Sequence, residues 1–164
     1  METFSDLLAA NEEFVTNFKS EHLGGAARKG LAIVTCMDSR IDPLRIVGMH
    51  AGDAKILRNA GARVTEDVLR TLILATHLLN VERILVMPHT DCRMASGTEE
   101  EIHAAILESS GVDTRSIEIR TVRDQLAALE KDITRIETYP FLKKGITVMG
   151  AIYDVKSGKL SPIN

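Results

Sequence analysis

The chain has 164 residues, 45% of them hydrophobic, which is enough material for one domain with a single well-buried core. Lys and Arg number 20 against 23 Asp and Glu, for a formal net charge of -3, and no run of like charge resembles a nucleic-acid stripe or a polybasic membrane tail, so neither is expected as a partner. Tryptophan is absent and aromatic residues make up 4%, leaving little from which to build a base-stacking surface or a carbohydrate platform; a small, weakly aromatic ligand fits better.

The opening METFSDLLAA lacks a basic n-region and a long apolar run, and no apolar stretch approaches the roughly 20 residues that span a bilayer. The expected location is therefore cytoplasmic. In a reducing compartment the two cysteines, Cys36 and Cys92, are better suited to metal ligation or burial than to a disulfide.

Taken in chain order, Phe4, Leu7, Leu8, Phe14, Val15 and Phe18 fall on one face of an amphipathic helix. The Gly24-Gly25-Ala26-Ala27 hinge follows, so this face is as free to pack on a partner subunit as on its own domain. Leu31 to Thr35 is a continuous apolar and β-branched run, the pattern of a strand buried on both faces, and it delivers Cys36 at its carboxyl end. Asp42-Pro43 opens a short helix closed by Gly48, and a second strand is expected from Ala54 to Leu57. Thr65, with Glu66 and Asp67 in the first turn, starts a helix through about Leu79.

The third strand spans Arg83 to Met87 and ends at Pro88, with His89 through Cys92 just beyond it. Thr98 and Glu101 form a capping-box signature for the next helix, and another helix is expected from Thr121 to about Thr138. Ile146 to Val155 reads as a strand, and the turn Lys156-Ser157-Gly158-Lys159 returns a short antiparallel edge around Leu160. Strands alternating with helices predict an α/β fold. Its mostly parallel central sheet has about four strands plus an antiparallel C-terminal edge strand, with helices on both faces. Residues 1–164 read as one domain, with residues 1–25 as an N-terminal helical arm.

Cys36, His89 and Cys92 all lie at carboxyl ends of strands, where open α/β sheets place their sites, and the three converge if the first and third strands are neighbours. Two Cys and one His form a recognised zinc set; three protein ligands leave a fourth position for water or substrate, the arrangement of a catalytic ion. The other histidines, His22, His50, His77 and His103, fall in a linker, a loop and two helices and read as surface or packing residues.

Two thiolates formally cancel the charge of Zn²⁺, so water at such a site is less acidified than at a three-histidine site, where its pKa falls to about 7. Asp38 and Arg40 are placed to compensate as a catalytic pair. The carboxylate accepts a hydrogen bond from the attacking hydroxide, and the guanidinium pins it and keeps it ionised. Asp91 reads as an N-cap in preference to a fourth ligand, while Arg58 and Asn59 read equally as buttresses of the turn after the second strand or as neighbours of the site.

Cys36-Met37-Asp38-Ser39-Arg40, then Arg58-Asn59-Ala60-Gly61, then His89-Thr90-Asp91-Cys92, in this order, resemble the short bacterial branch of the β-class carbonic anhydrases, over nearly the whole chain. That resemblance implies one zinc ion per chain on Cys36, His89 and Cys92, an Asp38–Arg40 dyad, and reversible hydration of carbon dioxide to bicarbonate. It also implies that Asp38 joins the zinc ligands in a closed form, and a homodimer, paired into tetramers in many members, with the N-terminal helix laid over the partner. The chain departs from the family in carrying Arg93 where Gly commonly follows the second Cys, and Ala26-Ala27-Arg28 where a Gln is common. Those departures keep open hydrolysis of carbonyl sulfide or carbon disulfide at the same site. A zinc-binding module without catalysis is a further alternative.

Overall fold

The computed structural model describes residues 2–163, built around a five-stranded sheet of order β2-β1-β3-β4-β5. Strands β1 (Leu31–Cys36), β2 (Ala54–Asn59), β3 (Arg83–Met87) and β4 (Thr147–Tyr153) are parallel, and β5 (Leu160–Pro162) runs antiparallel to β4. The helices are α1 (Ser5–Thr16), α2 (Pro43–Ile46), α3 (Glu66–Leu78), α4 (Glu99–Ser110) and α5 (Gln125–Glu137). The expected α/β architecture, with its parallel strands and antiparallel edge, is present.

Every residue of β1 is buried, which is why its sequence lacks polar alternation. Ala32 and Val34 join one core layer with Val68, Leu69 and Leu72 of α3 and Leu129 and Ile136 of α5. Leu31 and Ile33 face the opposite layer, closed by Ile41, Ile46 of α2, Met94 and Ile119. Each fully buried Leu or Ile, such as Leu72 and Ile33, contributes about 1.5–3 kcal/mol relative to exposure. The pairing register Thr35↔Met87 sets the ends of β1 and β3 side by side.

Helix starts follow their caps. Asp42 accepts from the Arg45 N–H at 3.3 Å and Thr65 from the Val68 N–H at 3.4 Å. Thr98 and Glu101 complete a reciprocal capping box. Helix α5 begins at Gln125 rather than at Thr121, because Asp124 is its true N-cap, accepting from the Ala127 N–H at 3.0 Å. Upstream, Val122 instead spends its N–H on the Met94 carbonyl at 2.8 Å. Strand β2 runs two residues past Leu57, to Asn59, and β4 is shorter than the expected 146–155. It stops at Tyr153 because the Asp154 carboxylate gathers the N–H groups of Lys156 and Ser157 into a turn.

The N-terminal helix forms where its periodicity predicts, yet α1 has no buried residue. Phe4, Leu7, Leu8, Phe14 and Val15 are each about 60% exposed within the single chain. The Phe14 and Phe18 rings pack on one another at a centroid distance of 5.7 Å.

Candidate metal centre

Cys36 is the last residue of β1, and its carbonyl accepts from Arg58 Nε at 2.9 Å. Arg58 Nη2 also donates to the Asp38 carbonyl at 2.6 Å, so one guanidinium fixes the backbone on both sides of Met37. Cys36 pairs with Asn59 across the β1–β2 ladder, which carries the following Gly61 N–H to 3.4 Å from Cys36 Sγ. Gly61 has φ +79°, and a Cβ there would meet Met94 Cβ at 3.1 Å; this turn needs glycine for both its conformation and its space.

His89 follows β3, continues its pairing onto Tyr153 of β4, and is 1% exposed. Its Nδ1 lies 2.8 Å from the Thr90 carbonyl, which only accepts, so Nδ1 is the donor there and the neutral ring presents its lone pair at Nε2. Gln125, the first residue of α5, donates from Nε2 to the His89 carbonyl at 2.8 Å. Cys92 follows three residues after His89, and its Sγ lies 4.0 Å from Cys36 Sγ.

The ligand atoms of Cys36, His89 and Cys92 all lie within 4.8 Å of one another, and all three residues are buried. Among the described residues, His89 Nε2 is the buried side-chain nitrogen or oxygen without a hydrogen-bond partner. An orphaned buried acceptor facing two thiols is costly unless something positive sits among them. Two sulfurs at about 2.3 Å from a tetrahedral ion stand about 3.8 Å apart, close to the observed separation. The donor set fits zinc. The thiols also differ: a hydrogen bond from Cys92, helped by the Gly61 N–H, pushes Cys36 well below the usual thiol range, and the same contact with Cys36, with burial, pushes Cys92 up.

Asp38 and Arg40 lie beside this cluster. Arg40 Nε and Nη2 donate to Asp38 Oδ1 and Oδ2 at 2.9 and 2.8 Å, and the Arg40 backbone N–H adds a third bond at 2.9 Å. These bonds hold the Asp38 carboxyl well below the ordinary carboxylate range. Asp38 Oδ2 is 3.8 Å from His89 Nε2, which puts the ionised carboxylate at the edge of the metal position.

The structure therefore brings together all five residues singled out from the sequence. Asp91 departs from its reading as an N-cap: the following 3-10 turn, Arg93–Ala95, has Cys92 at its cap position, and the Asp91 carboxylate goes to Arg40 Nη1 at 2.7 Å. Arg58 secures the first ligand loop, whereas Asn59 buttresses the next turn by exchanging two hydrogen bonds with the Arg63 backbone. His22, His50 and His77 are exposed, and His103 is buried against Thr114 Oγ1 at 2.8 Å; none joins the cluster. Arg28 sits at the opposite end of β1, engaged with Asp53 at 2.9 Å, and Arg93 is exposed. The contact of Gln125 with His89 has no sequence signal, being made across 36 residues. A narrow cleft on the α5 side of Cys92 is lined in part by Gly61, Arg63, Met94, Gln125 and Asp132.

An open α/β sheet with a Cys-His-Cys centre at adjacent strand ends defines a metal-dependent enzyme of the kind that leaves one coordination position to its substrate. Residues 31–160 match the carbonic anhydrase family, and the chain belongs to the β-class of that family. It is 36% identical to β-carbonic anhydrase 1 of Mycobacterium tuberculosis over 164 residues, 99% of each chain. It is 30% identical to a carbon disulfide hydrolase of Saccharolobus solfataricus over 154 residues, 79% of this chain and 75% of that one. The crystal structure of a carbonic anhydrase from Streptococcus mutans superposes with a TM-score of 0.92 at 35% identity, covering 100% of this chain and 99% of the other.

Proposed function

We propose that this protein is a zinc-dependent carbonic anhydrase that converts carbon dioxide and water reversibly into bicarbonate and a proton, with Cys36, His89 and Cys92 as the zinc ligands. The observation that carries the assignment is the buried, unpartnered His89 Nε2 facing the two thiols 4.0 Å apart. Zinc held by Cys36, His89 and Cys92 would supply a Lewis acid that acidifies water. Asp38 is the catalytic carboxylate: ionised and held by Arg40, it accepts a hydrogen bond from the oxygen nucleophile and turns a lone pair toward the substrate carbon. The oxygen–carbon bond forms, bicarbonate leaves, and the proton lost by the next water passes to buffer. Asp38 would be a further zinc ligand only in a closed form of the site.

We read the chain as one zinc domain of a cytoplasmic homodimer. The exposed apolar face of α1 supports this reading, with the arm of residues 1–25 packing over the partner subunit. No helix among the described residues is long and apolar enough to cross a membrane.

Stopped-flow measurement of carbon dioxide hydration at pH 7 and pH 9, on protein of known zinc content, tests the activity. Metal-dependent acceleration is expected, and Cys36→Ser is expected to lose zinc and turnover together. A Cys36→Ser protein with full zinc and full turnover would refute the ligand set. The similarity to a carbon disulfide hydrolase favours one second reading, hydrolysis of carbon disulfide or carbonyl sulfide. Sulfide release outpacing carbon dioxide turnover would establish it.

A further inference from the structure

We propose that Asp91 is a positioning residue for the site, acting through Arg40 to keep Asp38 turned away from the metal's fourth position. The proposal rests on the zinc assignment above and adds a third member to the Asp38–Arg40 pair. Arg40 spends half of its fork on Asp38 and half on Asp91, donating to Asp91 Oδ2 from Nη1 at 2.7 Å and to the Asp91 carbonyl from Nη2 at 3.0 Å. Both Asp91 oxygens reach the same guanidinium because Asp91 adopts φ +56°, a left-handed conformation that a non-glycine residue holds only at a cost its surroundings must offset.

Those surroundings are hydrogen-bonded to the end of β4 and the residues after it. The neighbouring Thr90 donates its N–H to the Tyr153 carbonyl at 2.9 Å and accepts from the Val155 N–H at its hydroxyl at 3.2 Å. Asp91 thus ties Arg40 to the β3–β4 side of the sheet, whereas Asp38 belongs to the loop after β1. The Arg40 and Asp91 side chains are 44% and 65% exposed, and an exposed pair alone holds its geometry weakly; two bonds to one residue, one of them to its main chain, restrict Arg40 more than a single side-chain bond would. The Asp38 backbone is fixed by Arg58, so the motion open to Asp38 is rotation of its side chain between Arg40 and the metal position, whose ligand His89 Nε2 is 3.8 Å from Oδ2. A guanidinium clamped from the far side pulls that choice toward Arg40.

The test uses the cobalt(II)-substituted full-length protein, read by its visible absorption, with azide as the probe for the fourth position. Asp91→Ala is expected to keep one cobalt per chain but to weaken azide binding about tenfold, with the azide-free spectrum shifted. Asp91→Asn tolerates a positive φ and keeps an acceptor oxygen while removing the charge, so it should fall between. In Asp91→Ala/Asp38→Ala, azide affinity should match that of Asp38→Ala alone, because no carboxylate remains to compete. Wild-type azide affinity and spectrum in both single variants would overturn the proposal. Failure of the wild-type protein to bind cobalt at Cys36, His89 and Cys92 would instead remove the zinc assignment itself, and the proposal with it.

Discussion

Gln125 Nε2 donates to the carbonyl oxygen of His89 at 2.8 Å, joining the first turn of α5 to the loop that carries the histidine ligand. This contact acts on the backbone of a residue whose ring is already fixed by its own hydrogen bond to the Thr90 carbonyl. Groups that orient a ligand from behind typically change metal affinity 10–100-fold when removed. Gln125→Leu keeps the side-chain bulk and removes the donor. We expect its zinc affinity, measured by chelator competition, to fall about tenfold with an unchanged far-ultraviolet circular dichroism spectrum; an unaltered affinity would count against the contact.

Arg63 and Asp132 form an ion pair at 2.7 Å with side-chain exposures of 18% and 5%. Asp132 is otherwise buried in α5, so Asp132→Ala would leave a desolvated guanidinium facing no charge. Breaking such a pair from one side costs about 3–5 kcal/mol, whereas replacing both partners by well-packed apolar residues is often close to neutral. Urea denaturation should therefore find Asp132→Ala strongly destabilised and Arg63→Met/Asp132→Leu substantially recovered. A double variant as unstable as the single one would show that the ion pair contributes more than its desolvation consumes.

Glu66 is one of the carboxylates that make stability pH-dependent. Its own N–H in the first turn of α3, and then Arg135, lower its pKa from the usual 4.5 to about 2. A carboxyl lowered on folding stabilises the folded state above its unfolded value and loses that contribution as pH falls through the folded one. The difference in unfolding midpoint between the wild-type protein and Glu66→Gln should therefore be constant above about pH 5 and shrink between pH 4.5 and 2. Comparing the two proteins at each pH cancels any loss of zinc common to both. Because Glu66 is exposed, the difference is expected to be small.

The features legible from sequence were those encoded locally. Leu31–Thr35 announces a buried strand, Thr98 and Glu101 announce a capped helix, and the spacing of Cys36, Asp38 and Arg40 places three functional groups at the end of β1 and in the loop after it. The start of α5 lies downstream of where the sequence pattern puts it, because the apolar residue Val122 continues the helical pattern upstream. Its N–H is captured instead by Met94, a tertiary bond that no local pattern encodes. Asp91 departs from its local pattern for a related reason: an Asp shortly before a helical turn looks like a cap, and only the fold brings Arg40 across 51 residues to claim it. Gln125 was invisible altogether, since its partner is a main-chain carbonyl and carbonyls carry no sequence identity.

The metal site also acts as a gauge of strand pairing. Cys36 is brought to Cys92 by the ladder that pairs Thr35 with Met87, and to the Gly61 N–H by the one that pairs Cys36 with Asn59. Sliding β1 by a single residue displaces its end by about 3.3 Å, far beyond the roughly 0.2 Å over which metal–ligand distances are tolerated. A chain with misaligned strands therefore lacks the centre even when its secondary structure content is native. Zinc occupancy in a refolded preparation counts the molecules whose sheet has closed in its native alignment.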